Sequence, residues 1–168
     1  MPLPAADTEM CQEEGGSLSG RALLELLRAV LDKGVPCRFR APGFSMSPFI
    51  RDGDVITVSR LSGCSLCSGR VVAFVHTGTG KLIVHRVVGK EDGRYLIKGD
   101  NSPHADGLVP RKNILGYVSK VERGGKRILL GLGPERLLIA FLSRRGLLLA
   151  LLCRVGWLLR PFVRREST

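Results

Sequence analysis

The residues of this chain best suited to chemistry are a serine, a histidine and two aspartates, set far apart in sequence. Ser45 sits in Gly43-Phe44-Ser45-Met46-Ser47-Pro48, a glycine-flanked bend followed by the polar turn Asp52-Gly53-Asp54. A serine hydroxyl is a weak nucleophile until a base takes its proton. His85, in Leu82-Ile83-Val84-His85-Arg86-Val87, is the best-placed base. An imidazole has an ordinary pKa near 6.5, so it accepts a proton near neutral pH without the burial that a lysine needs to lose its charge. The other two histidines are rivals in poorer positions. His76 adjoins a Gly-Thr turn, and His104 lies between turn residues. Asp100 and Asp106, in Lys98-Gly99-Asp100-Asn101 and Ala105-Asp106-Gly107, are the carboxylates that could orient an imidazole. A serine, a histidine and an aspartate that converge in space make an acyl-transfer triad, recognised by geometry and not by sequence position. Each residue also has a plainer reading: a turn serine, a strand histidine, aspartates closing an Asx turn.

The elements around these residues change character along the chain. Residues 1 to about 16 are rich in Pro, Ala, Glu and Gly and read as a mobile tail. Ser17 or Ser19 caps a helix over roughly 17–34, in which Leu23, Leu24, Leu26, Leu27, Val30 and Leu31 recur at helical spacing. Gly34 and Pro36 stop it. This helix is too short and too charged to span a bilayer, and packing against the following domain is its expected role.

From 35 to about 130 the pattern becomes short β-rich runs: Cys37–Ala41, Val55–Val58, Val71–Val75, Leu82–Val88, Arg94–Ile97, Ile114–Val121 and Arg127–Leu130. Thr77-Gly78-Thr79-Gly80 and Asp92-Gly93 supply hairpin turns. The expectation is a mainly-β fold, a coiled antiparallel barrel or sandwich. Residues 131–168 read as one or two basic, leucine-rich helices.

Of the 168 residues, 26 are Lys or Arg and 15 are Asp or Glu, a net charge of +11. Such an excess attracts nucleic acid or an anionic lipid surface. From Arg136 onward there are seven arginines and one acid, Glu166, among many leucines, which favours a membrane surface over a nucleic-acid groove. Aromatic residues are few and not interleaved with the basic ones, so nucleic acid is not expected as a partner. Residues 136–163 are therefore expected either to lie on a membrane surface or to pack against the β domain.

The first residues carry Asp7, Glu9, Glu13 and Glu14 and no basic start or apolar core, so no secretory leader is expected and the default compartment is the cytoplasm, with the tail at the inner membrane face. The five cysteines form no secreted disulfide framework, and Cys64-Ser65-Leu66-Cys67 lacks a second ligand pair for zinc.

Taken in order, Gly43-Phe44-Ser45-Met46-Ser47-Pro48, Gly53-Asp54, Gly69-Arg70-Val71-Val72, His85-Arg86-Val87, Lys98-Gly99-Asp100-Asn101, Asp106 and Gly116-Tyr117-Val118 resemble the type I signal peptidases and their LexA-like relatives. The resemblance runs from about Gly43 to Val121. The His-Arg-Val setting resembles the variant whose base is histidine, the endoplasmic-reticulum and archaeal type, where other members use lysine. It implies a serine endopeptidase with Ser45 as nucleophile and His85 as general base. It further implies Asp106 as the orienting acid, with Asp100 as structural support or substitute. No cofactor or metal is implied. The implied partner is a peptide or precursor protein, laid as a strand beside an enzyme strand and cut after small residues. Two features depart from the pattern. The helix before Ser45 is no membrane span, and residues 1–42 offer one helix where a LexA-like repressor carries a helix-turn-helix, with no evident Ala-Gly self-cleavage bond. A catalytically inactive peptide-binding barrel and a LexA-like autoproteolytic regulator are the alternatives.

Overall fold

The computed structural model describes residues 20–61 and 66–154. It opens with helix α1 (Gly20–Asp32), whose Leu24, Leu27, Val30 and Leu31 are buried on one face, as the leucine spacing predicts. Eight strands follow: β1 (Cys37–Arg40), β2 (Val55–Arg60), β3 (Val71–Val75), β4 (Leu82–Glu91), β5 (Arg94–Lys98), β6 (Ala105–Val109), β7 (Ile114–Arg123) and β8 (Lys126–Ile128). Helix α2 (Arg136–Arg144) comes next, and residues 147–154 are again helical.

The strands form one antiparallel sheet in the order β1-β2-β7-β3-β4-β5-β6, with β8 paired to β7. The fold is mainly β, as expected, but the sheet is open and not closed into a barrel: among the described residues β1 pairs only with β2, and β6 only with β5. The Asp92-Gly93 turn joins β4 to β5, with Asp92 at φ 47° and Gly93 at φ 75°, the left-handed geometry a two-residue hairpin requires.

One core cluster joins α1 to the sheet, with Leu27 and Leu31 among Phe39, Ile56, Val58 and Val118. A second gathers Val72, Phe74, Val87, Ile97 and Val109. A third, smaller cluster sets Phe49 against Ile139 of α2 and Leu148. The two C-terminal helical pieces thus pack under the loop that carries Ser45. The 1–16 tail, the Ser17 and Ser19 caps and residues 155–163 of the basic tail lie outside the described residues.

β6 was not foreseen. Ala-Asp-Gly-Leu-Val contains two residues depleted in strands, and it reads as part of a turn. Pairing with β5 makes it a strand nonetheless.

Candidate active site

Ser45 lies in the turn between β1 and β2, and its position is fixed from several sides. Gly43 enters that turn at φ 87°, a conformation that favours glycine, and its N–H donates to Asp52 Oδ1 at 2.7 Å. Met46 and Ile50 are buried in the main core and Phe49 in the small cluster. The N–H of Asn101 donates to the Ser45 carbonyl at 2.7 Å, and the Asn101 side-chain amide to the Phe44 carbonyl at 3.2 Å. Buried side chains thus pin the loop from below and Asn101 ties its backbone, while Ser45 itself is exposed.

His85 stands on β4 opposite Val72 of β3 and is buried, with its ring tilted against Phe74. Its Nε2 lies 2.8 Å from Ser45 Oγ, and its Nδ1 lies 2.6 Å from Asp106 Oδ2. A carboxylate can only accept a hydrogen bond, so Nδ1 carries the proton and Nε2 is left to accept from the serine hydroxyl. That is the tautomer a general base needs.

Asp106 reaches the ring through a break in register. Gly107 pairs with Ile97 and Ala105 with Lys98, so Asp106 is the extra residue of a β-bulge, followed by Gly107 at φ 93°. A bulge re-aims a side chain that regular pleating would point elsewhere.

Asp100 is placed differently. Both of its oxygens are taken by the fully buried Arg86: Nε to Oδ1 at 2.8 Å and Nη2 to Oδ2 at 2.7 Å. Arg86 Nη1 donates to the carbonyls of Gly69 and Gly131, each at 2.8 Å, and the guanidinium lies over the Phe49 ring. Asp100 therefore does not substitute for Asp106 on His85; it forms a buried ion pair that ties β4 to the segments before β3 and α2. Of the rival bases, His76 is half-buried and its Nδ1 is engaged by Thr79, and His104 is exposed.

Gly99, in the strand-to-turn passage before Asp100, was not singled out by its spacing. A Cβ built there would stand 2.8 Å from the Ser45 carbonyl oxygen and 3.0 Å from His85 Nε2. The backbone passes so close to the serine and histidine that only glycine fits.

A cavity of about 350 Å³ opens beside Ser45 and His85, lined mainly by apolar side chains that include Phe39, Met46, Ile50, Leu82 and Val84. Its walls come from the start of α1, the loop that carries Ser45, and the strands β1 and β4, each of which has a spare edge. β5 joins β4 only from Arg86 onward, so among the described residues Leu82–His85 pair with β3 alone, and β1 pairs with β2 alone. Among the described residues no group of His, Cys, Asp and Glu stands where it could hold a metal; Cys64 of the Cys64–Cys67 pair lies outside them.

The profile of the family described as Peptidase S24-like matches residues 21–119, more than half of the chain. The chain belongs to the Peptidase S24-like family. This places it in the LexA and signal peptidase-like superfamily of serine peptidases, with all four candidate residues inside the matched region. A search of curated proteins finds no match to the chain. No helix among the described residues is long and apolar enough to cross a membrane.

Proposed function

We propose that this chain is a serine endopeptidase of the histidine-base, signal peptidase-like kind. Ser45 is its nucleophile, His85 its general base and Asp106 the acid that orients His85. The observation that carries this reading is the continuous contact Ser45 Oγ, His85 Nε2, His85 Nδ1, Asp106 Oδ2, at 2.8 and 2.6 Å.

His85 Nε2 takes the hydroxyl proton as Ser45 Oγ attacks the peptide carbonyl carbon. The imidazolium that forms is held by Asp106. The Ser45 N–H is suited to stabilise the oxygen on which negative charge develops. Collapse of the tetrahedral intermediate breaks the C–N bond, and His85 returns its proton to the leaving amine. Water, activated by the same imidazole, then hydrolyses the acyl-enzyme.

The spare edges of β1 and of β4 at Leu82–His85 suit a substrate laid as an extended strand. Backbone hydrogen bonds would give affinity, and the apolar cavity would take alternate side chains. The resemblance adds that the residue before the cut is small. Asp100 belongs to the support of the site through Arg86.

An active-site fluorophosphonate tests the reading. Wild type should label on Ser45 and Ser45→Ala should not. Equal labelling of the two would end the enzyme reading and leave a peptide-binding sheet that kept the fold.

A further inference from the structure

Eight large hydrophobic residues are exposed among those described, and seven of them fall between Leu129 and Leu151. They are not scattered. On α2, Leu137, Leu138 and Phe141 recur at the three- and four-residue spacing of one helical face, opposite the buried Ile139, Ala140 and Ser143. In the helical residues 147–154, Leu147 and Leu151, four residues apart, are exposed on one side, and Leu148 at the edge of that side is buried. Exposure across the seven runs from 47% at Leu151 to 64% at Leu129. An apolar surface concentrated in this way marks a contact surface.

Charge says what it contacts. Residues 136–154 contain no acidic residue; of their four arginines, Arg136 is half-buried against Gly69, while Arg144, Arg145 and Arg154 are exposed. Arg144 reaches Glu91 of the sheet at 3.0 Å, and the Arg145 guanidinium lies over the Phe141 ring. A second copy of this face would set arginines against arginines, since a two-fold contact pairs a surface with itself. Residues 155–168 carry three more arginines and one acid, so covering the face with them would also bring like charges together. An anionic lipid surface meets both demands: its acyl boundary takes the leucines and phenylalanine while its headgroups take the arginines.

We propose that the exposed face of α2 and of residues 147–154 docks on a bilayer containing anionic phospholipid, lying in the interface without crossing it. The inference stands apart from the catalytic reading and fails or holds separately.

The test is flotation of the full chain with vesicles of phosphatidylcholine alone and of phosphatidylcholine mixed with phosphatidylglycerol. The chain should float with the mixed vesicles, weakly or not at all with the neutral ones, and less as salt rises. Leu138→Ser with Phe141→Ser should lower the partition coefficient tenfold or more, roughly what the transfer of two half-exposed apolar side chains implies. Arg145→Gln and Arg154→Gln should each lower it about fivefold. Leu147→Ser with Leu151→Ser serves as a second apolar variant should the first not fold. Three outcomes overturn the proposal: no binding to either vesicle, binding unaffected by the apolar variants, or a dimer in solution that the apolar variants dissociate while vesicle binding is absent.

Discussion

Gly99→Ala is the substitution that most directly probes how the candidate triad is held. The added methyl would stand 2.5 Å from Ser102 Oγ, 2.8 Å from the Ser45 carbonyl oxygen and 3.0 Å from His85 Nε2. Ordinary contact begins near 3.4 Å. Ser102 can rotate its hydroxyl away. The Ser45 carbonyl cannot move freely, because Asn101 N–H holds it at 2.7 Å and Met46 and Ile50 anchor the loop in the core. It must retreat by about 0.6 Å and Nε2 by about 0.4 Å, allowing for ordinary van der Waals separation. Both displacements act on the 2.8 Å hydrogen bond between Ser45 and His85. Misplacing reacting groups by about 1 Å costs about 10²-fold, so a shift of this size should lower the rate of fluorophosphonate labelling by about 10- to 100-fold. Crowding a packed site costs about 1–3 kcal/mol of stability, which a urea titration reads separately. The assay is the second-order labelling rate per folded molecule, well below the unfolding midpoint. Labelling within twofold of wild type in a folded Gly99→Ala chain would refute the claim that the backbone at 99 sets the geometry of the serine and histidine.

Three further outcomes follow from the contacts around the site. Asp106→Asn should keep the fold but slow labelling by about 10³- to 10⁴-fold, because an amide in place of the carboxylate favours the wrong imidazole tautomer; near-wild-type labelling would remove Asp106 from its role. Asp100→Asn should show the opposite balance of effects, destabilising the chain by about 3–5 kcal/mol in urea unfolding because it leaves the buried Arg86 without its countercharge. Asp54 gives a pH test. Burial pushes its carboxyl up, but the hydrogen bonds from Arg123 and from the Arg51 N–H, with the charges of both arginines, outweigh this and hold it below its ordinary value of 3.8. A depressed acid contributes stability that is present above its unfolded pKa and lost as pH falls through the folded one. The gap in urea midpoint between wild type and Asp54→Asn should therefore be full at pH 6 and shrink steadily below about pH 4; a gap independent of pH would sink the assignment.

Much of this arrangement was legible in the chain because turn chemistry and hydrophobic alternation are local. The hairpin at Asp92-Gly93 needs left-handed residues, and the sequence offers them there. The leucines of α1 declare a buried face by spacing alone. The bend at Ser45 shows itself through Gly43, and the structure gives the reason in a φ of 87°. Closure of the sheet was not legible in the same way. Whether β1 meets β6 depends on where every intervening strand pairs, and no local pattern encodes it. The reason for a glycine at 99, within the Lys98-Gly99-Asp100-Asn101 motif, was also silent, because its close approach to Ser45 and His85 joins positions 54 and 14 residues away.

The choice between Asp100 and Asp106 shows where local reading ends. Both stand in one polar turn-like stretch, and either could face an imidazole. What separates them is a single unpaired residue. Because Ala105 pairs with Lys98 and Gly107 with Ile97, Asp106 is left over, and the bulge turns its carboxylate toward His85 Nδ1. Asp100, just past the end of β5, instead meets Arg86, the residue after His85 on β4. Neighbouring residues on a strand point to opposite faces, so His85 and Arg86 necessarily seek different partners. One aspartate serves each face. The ion pair on one face fixes the strand that presents the imidazole on the other. Asp106→Asn and Asp100→Asn are therefore expected to separate cleanly into a loss of reactivity and a loss of stability, and equal effects of both on labelling in folded chains would show that the two faces are not independent.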